Sequence, residues 1–143
     1  MNAAAPWFKH YPPNVPHDVQ PEQYRSLVHL LEEAFAEHAA RPFSVCMDRW
    51  MSYAELDKLS AQMGAWLQSL GLEPGARVAI MLPNLPQFHV SMTGVLLTGF
   101  TCVNVNPLYT ARELEHQLKD SGATAIIILE NFAHTLSQVL EHT

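Results

Sequence analysis

Charge is what this sequence has least of. Charged residues make up 15% of the 143, against roughly 25% in a typical soluble domain, and only Lys9, Lys58 and Lys119 are lysines. The formal net charge is −6, so there is no basic stripe to neutralise phosphates, which excludes a nucleic-acid backbone as partner. Cysteine is nearly as scarce. Cys46 and Cys102 sit in apolar surroundings, without the paired spacing of a disulfide framework or a zinc site, and read as small core residues in a reducing compartment. The six glycines, Gly64, Gly71, Gly75, Gly94, Gly99 and Gly122, are spaced neither for a dinucleotide fingerprint nor for a phosphate loop. None of the eight histidines has another three or four residues away, which argues against a helical zinc site. There is no Gly-x-Ser-x-Gly elbow, and neither cysteine has a nearby histidine to activate it. The most apolar stretch, Gln87 to Asn106, includes His89, Asn104, Asn106 and two glycines, and is rejected as a membrane span. The first residues offer Lys9 and prolines in place of an apolar signal-peptide core. The chain reads as cytoplasmic.

What is present is organised. Residues 1–25 hold five of the ten prolines, with Trp7, Phe8, Tyr11 and Tyr24 between them, and read as an extended leader lying on a surface. From Ser26, Leu27, Leu30, Leu31, Ala34 and Phe35 fall at helical spacing until Arg41-Pro42 ends the pattern. Phe43 to Asp48 and Met51-Ser52 suit a small hairpin, or a strand and a turn. Ser52 and Glu55 form a capping box ahead of a helix whose Leu56, Leu59, Met63, Trp66, Leu67 and Leu70 read as one apolar stripe, stopped by Gly71.

Three continuous apolar runs follow: Val78 to Leu82, Thr101 to Val105 and Ala125 to Leu129. Their starts lie about 23 residues apart, the length of a strand, a crossover helix and two loops. Runs that do not alternate are expected of parallel strands covered on both faces. One crossover is a helix over roughly 87–98, and the next begins at the Thr110/Glu113 capping box and ends at Ser121-Gly122. A last helix begins near Asn131. The expected fold class is α/β, a partial doubly wound parallel sheet with flanking helices, in a unit of residues 26–143 behind the leader.

Residues 78 to 111 contain no Asp, Glu, Lys or Arg. A helix over 87–98 therefore has no charged face for water and is buried on more than one side. A chain this short has little room to bury a helix completely, so exposed apolar surface is expected around Phe88, Val95 and Leu96, with self-association as its consequence. His89, inside this run, reads as a core or interface histidine.

Ligands of open parallel sheets approach the carboxyl ends of the strands. There the sequence places Asn84, then Asn104, Asn106, Tyr109 and Thr110. The asparagines offer donors and acceptors, and Thr110 opens a helix whose free N–H groups suit an anion. The plainer reading is that the asparagines serve turns and Thr110 caps a helix.

The words Arg77-Val-Ala-Ile-Met-Leu-Pro-Asn-Leu-Pro-Gln, Val103-Asn-Val-Asn-Pro-Leu-Tyr-Thr-Ala-Arg-Glu-Leu through Asp120-Ser-Gly-Ala, and Asn131-Phe-Ala-His-Thr-Leu, with Ser52-Tyr-Ala-Glu-Leu and the Trp7…Tyr11-Pro12…Val15-Pro16 leader upstream, resemble the N-terminal region of bacterial long-chain fatty-acid–CoA ligases. These belong to the AMP-forming acyl-CoA synthetase and adenylating-enzyme superfamily, and the resemblance runs from Trp7 to Leu140. It implies the N-terminal subdomain of the adenylating-enzyme fold, incomplete at its C-terminus and inactive alone. It also implies an enzyme in which a fatty acid attacks the α-phosphate of ATP, with Mg neutralising the phosphates, and coenzyme A then displaces AMP. The phosphate loop, the hinge and the catalytic lysine of that family lie downstream, so no catalytic residue maps here. Asn106, Tyr109 and Thr110 match a segment facing the coenzyme A side. The implied partners are the remainder of the polypeptide and the fatty acid, with the inner membrane face as a place of peripheral association. A non-catalytic binding module, or an interaction domain derived from that family, remains the alternative.

Overall fold

A computed structural model describes residues 5–143; the first four residues of the expected leader lie outside the described residues. The chain forms α1 (Leu27–His38), β1 (Pro42–Cys46), β2 (Arg49–Ser52), α2 (Tyr53–Ser69), β3 (Arg77–Met81), α3 (Pro86–Leu97), β4 (Thr101–Asn104), α4 (Ala111–Ser121), β5 (Ala125–Ile128) and α5 (Ala133–Ser137).

Three parallel strands stand in the order β4-β3-β5, with Val78 beside Cys102 on one side and Ala125 on the other. The central strand is fully buried from Val78 to Met81. Its side chains alternate between two cores. Val78, Ile80 and the following Leu82 join Leu67 of α2, Val95 of α3 and Phe100. Ala79 and Met81 join Val105, Leu114 and Leu118 of α4, and Val139. The sheet is thus covered on both faces, the reason these strands read as unbroken apolar runs.

Antiparallel β1 and β2 form a separate hairpin, turning through Met47 and Asp48 at φ 48° and 60°. Its Met51 packs with Phe35 of α1 and Leu56 of α2. Both capping boxes are present, Ser52 with Glu55 and Thr110 with Glu113. Gly122 closes α4 in the left-handed conformation, its N–H donating to the Leu118 carbonyl, as a helix end requires.

Three expectations are corrected. The leader is not extended: Phe8–His10 and Pro21–Gln23 are 3-10 turns, and Phe8 stacks on His17 at 4.3 Å with Tyr11 edge-on to both. Its rings pack on one another while residues 11–20 stay exposed, and at its end Tyr24 stands edge-on to His29 of α1 at 6.1 Å. Second, the buried face of α2 is Leu56, Ser60, Gly64 and Leu67, whereas Leu59, Trp66 and Leu70 are 41%, 50% and 45% exposed. Third, Val95 is fully buried and Phe88 and Leu96 half-buried.

One contact explains the last two corrections. A Cβ on Gly94 of α3 would meet the Met63 side chain at 2.7 Å and the Ser60 carbonyl at 3.0 Å, and one on Gly64 would meet Thr98 at 2.9 Å. Small residues let the backbones of α2 and α3 approach until no larger side chain fits between them. The uncharged helix is covered by α2 within this chain, and the apolar residues displaced from that seam are the ones left facing water.

Candidate functional site

The carboxyl ends of the strands are built by three loops. After β3, Leu82–Leu85 leads into α3, which starts with Leu85 at the N-cap, no side-chain cap and Pro86 in its first turn. After β4, Val105 is buried, its N–H donating to the Ile80 carbonyl at 3.0 Å. That anchor fixes where Asn106 to Thr110 emerge. After β5, a 3-10 turn over Glu130–Phe132 precedes α5. The loop after β3 feeds a helix on one face, while those after β4 and β5 feed helices on the other. In open α/β sheets the crevice between such diverging loops is where ligands bind.

The structure brings Asn106, Tyr109 and Thr110 together on the loop after β4 and shows how each is held. Asn106 Oδ1 accepts from the Leu108 N–H at 3.0 Å, and its carbonyl accepts from the Tyr109 N–H at 3.1 Å. This Asx turn carries the chain around Pro107. Tyr109 is half-buried against the core on the α4 side. Thr110 Oγ1 donates to Glu113 Oε2 at 2.7 Å, the Thr110 N–H donates to the same oxygen at 2.9 Å, and the Glu113 N–H donates back to Thr110 Oγ1 at 3.4 Å. The side-chain and backbone hydrogen bonds from Thr110 hold the Glu113 carboxyl below its ordinary pKa. An ionised carboxylate of the chain itself therefore stands at the start of α4, where the sequence suggested room for an external anion.

Asn104 and Asn84 are exposed, and the Asn104 carbonyl accepts from Gln117 Nε2 at 2.9 Å. His89 is half-buried between rings, 5.1 Å edge-on to Phe43 and 5.7 Å to Phe88. Cys102 donates from Sγ to the Met92 carbonyl at 3.6 Å, and burial pushes its thiol pKa up to about 11. That is the opposite of an activated nucleophile. Among the described residues, no three His, Cys, Asp or Glu side chains come together to hold a metal, and no helix is long and apolar enough to cross a membrane.

Sequence reasoning missed a groove of about 470 Å³ between the β1–β2 turn, the first turns of α2 and the start of α3. Met47, Trp50, Leu59, Pro86 and Val90 make its walls apolar, and Arg49 and Glu55 bring charge. Met47 is 89% and Trp50 66% exposed. The signal in the sequence was Met47 at a hairpin turn, where polar residues are usual, with Trp50 two residues beyond the turn in β2.

The sequence profile of the AMP-binding enzyme family matches residues 31–143. The long-chain-fatty-acid–CoA ligase of Salmonella typhimurium is 51% identical over 138 residues, covering 96% of this chain and 25% of the relative. That of Bacillus subtilis is 35% identical over 130 residues, covering 91% and 23%. The chain spans about a quarter of the length of the curated relatives it matches. Among solved structures, the N-terminal domain of FACL13 from Mycobacterium tuberculosis, bound to an inhibitor, superposes with a TM-score of 0.73 at 26% identity, covering 78% of this chain and 28% of that one. A benzoate CoA ligase from Burkholderia xenovorans superposes at 0.76 with 22% identity, covering 81% and 24%, a likeness of fold alone.

Proposed function

The chain belongs to the AMP-binding enzyme family, and on that premise we propose that it is the N-terminal part of an ATP-dependent, AMP-forming long-chain fatty-acid–CoA ligase. The observation that carries this reading is the 51% identity across 96% of the chain, leader included, to a relative with that name. In the proposed reaction a carboxylate oxygen of the fatty acid attacks the α-phosphorus of ATP and pyrophosphate leaves. The coenzyme A sulfur then attacks the acyl carbon of the adenylate and AMP leaves. Both steps require charge stabilisation on phosphate oxygens. In this reading the phosphate-binding groups lie further along the enzyme, and this part of it contributes scaffold and approach surface.

Within that role, Asn106, Tyr109 and Thr110 are proposed to border the coenzyme A approach. Their support is position: they stand at the carboxyl end of β4, on a loop pinned by Val105 and by the capping box of α4. Long-chain substrates partition into bilayers, and the whole enzyme is proposed to meet them peripherally at the inner membrane face. The test is an assay of the complete reading frame containing this chain, supplied with ATP, coenzyme A and a long-chain fatty acid. AMP release that requires all three is expected, and a full-length protein that forms no AMP with any acid overturns the reading. For the coenzyme A role, Tyr109→Ala and Thr110→Ala are expected to raise the apparent KM for coenzyme A with KM for ATP unchanged. An unchanged KM for coenzyme A in both removes the assignment while leaving the ligase reading intact.

A further inference from the structure

The peptide that links Asn104 to Val105, where β4 ends, is held from both sides. A trans peptide points its N–H and its carbonyl in opposite directions. The Val105 N–H donates to the Ile80 carbonyl of β3 at 3.0 Å, and the Asn104 carbonyl, directed away from β3, accepts from Gln117 Nε2 of α4 at 2.9 Å. A carbonyl partner fixes which end of the Gln117 amide points there, because only its nitrogen donates. Its Oε1 is buried without a hydrogen-bond partner among the described residues, a cost that the bond to Asn104 has to offset.

Gln117 stands one helical turn after Glu113, so the two side chains share a face of α4. Glu113 accepts from the Thr110 N–H and hydroxyl at 2.9 and 2.7 Å. One face of one helix thus grips both ends of the loop, Asn104 at its start and Thr110 at its close, and only Val105 to Tyr109 run between the two grips. Within that span Asn106 and Leu108 are exposed and tied to each other by the Asx turn. The two grips differ in what else they do. Thr110 also caps α4, whereas Gln117 is neither a cap nor a member of the apolar clusters.

We propose that Gln117 is a positioning residue for the use of coenzyme A: its bond to the Asn104 carbonyl sets where Asn106 and Tyr109 stand beside the coenzyme A approach. It acts through the loop and not on the reacting atoms. This inference deepens the ligase reading and rests on it, together with the assignment of that loop to the coenzyme A side.

The test is made on the complete reading frame with Gln117→Met, which keeps the length and helix preference of the side chain and loses the donor. The apparent KM for coenzyme A is expected to rise about fivefold, the weight of one neutral hydrogen bond. The KM for ATP, and acyl-adenylate formation without coenzyme A followed by pyrophosphate release, are expected to stay at wild-type values. Amide exchange at Leu108 is expected to be about fivefold faster. Gln117→Lys, whose ammonium still donates to the Asn104 carbonyl, is expected to restore both. An unchanged KM for coenzyme A overturns the proposal, as does a raised KM with Leu108 exchange unaltered. So does a fall in adenylate formation as large as that in thioester formation, the result that general loosening of α4 produces. Should Gln117→Met not fold, Gln117→Ala reads the same quantities. If Tyr109→Ala and Thr110→Ala raise the KM while Gln117→Met does not, the loop keeps its role and Gln117 loses its own. A complete protein that forms no AMP overturns the ligase reading and this inference with it.

Discussion

On one face of the sheet, Val78 and Ile80 meet α3, which is itself covered by α2; on the other, Ala79 and Met81 meet α4, whose far side is water. The deeper side uses a helix with no charged residue and a seam of small ones, Ser60, Gly64, Ser91 and Gly94, all buried. The shallower side uses an amphipathic helix with Leu114 and Leu118 inward and Arg112, Glu113, Lys119 and Asp120 exposed. Absence of charge along a helix marks its place as a middle layer, not an unfinished surface.

The contrast breaks most readily at the seam. Gly94→Val adds a Cβ at 2.7 Å from Met63 and 3.0 Å from the Ser60 backbone carbonyl, which cannot step aside as a side chain can. A loss of about 3 kcal/mol is expected, measured by urea denaturation. On the α4 face, Leu114→Ala is expected to cost about 2.5 kcal/mol, the low part of the usual range because an outer helix can settle into the space. A larger loss for Leu114→Ala than for Gly94→Val would contradict the difference in depth. Smaller again is Thr110→Ala, which removes the cap of α4 and is expected to cost about 1 kcal/mol by the same measurement.

The smallest effect is one of pH. Hydrogen bonds from Thr110 hold Glu113 below its ordinary 4.5, and those from Ser52 do the same for Glu55. A depressed carboxyl stabilises the fold above its unfolded pKa, and that contribution is lost as pH falls through the folded value. Stability is therefore expected to decline below about pH 4.5. Glu113→Gln should flatten part of the decline in a denaturation series from pH 6 to pH 3, and an unaltered slope would deny the box its charge.

Much of this was legible in the sequence. The three strands, the crossover helices and both capping boxes follow from apolar runs, Ser52/Glu55 and Thr110/Glu113, because those signals are local. What escaped was which helix covers which. The spacing of Leu59, Trp66 and Leu70 is that of a buried stripe, yet glycine and serine hold the inner face, because close helix approach rewards the absence of a side chain and hydrophobicity does not register it. The leader misled for a similar reason: its prolines suggested extension, while the pairing of Phe8 with His17 nine residues on depends on a turn between them. At the site, Asn106 and Thr110 serve the turn and the cap that their residue types suggest. The groove that Trp50 and Met47 line is not legible in the sequence, because it is assembled from three separate segments.

The strand order carries a consequence for synthesis. β3 is the middle of the sheet but the first of its strands to be made, and its partner at Ile128 follows Arg77 by 51 residues. At bacterial or eukaryotic elongation rates that is a wait on the order of 2–10 s, during which Val-Ala-Ile-Met-Leu has at first no neighbouring strand and then only β4. The most deeply buried segment of the finished domain is thus, for its first seconds outside the ribosome, the one most in need of a chaperone.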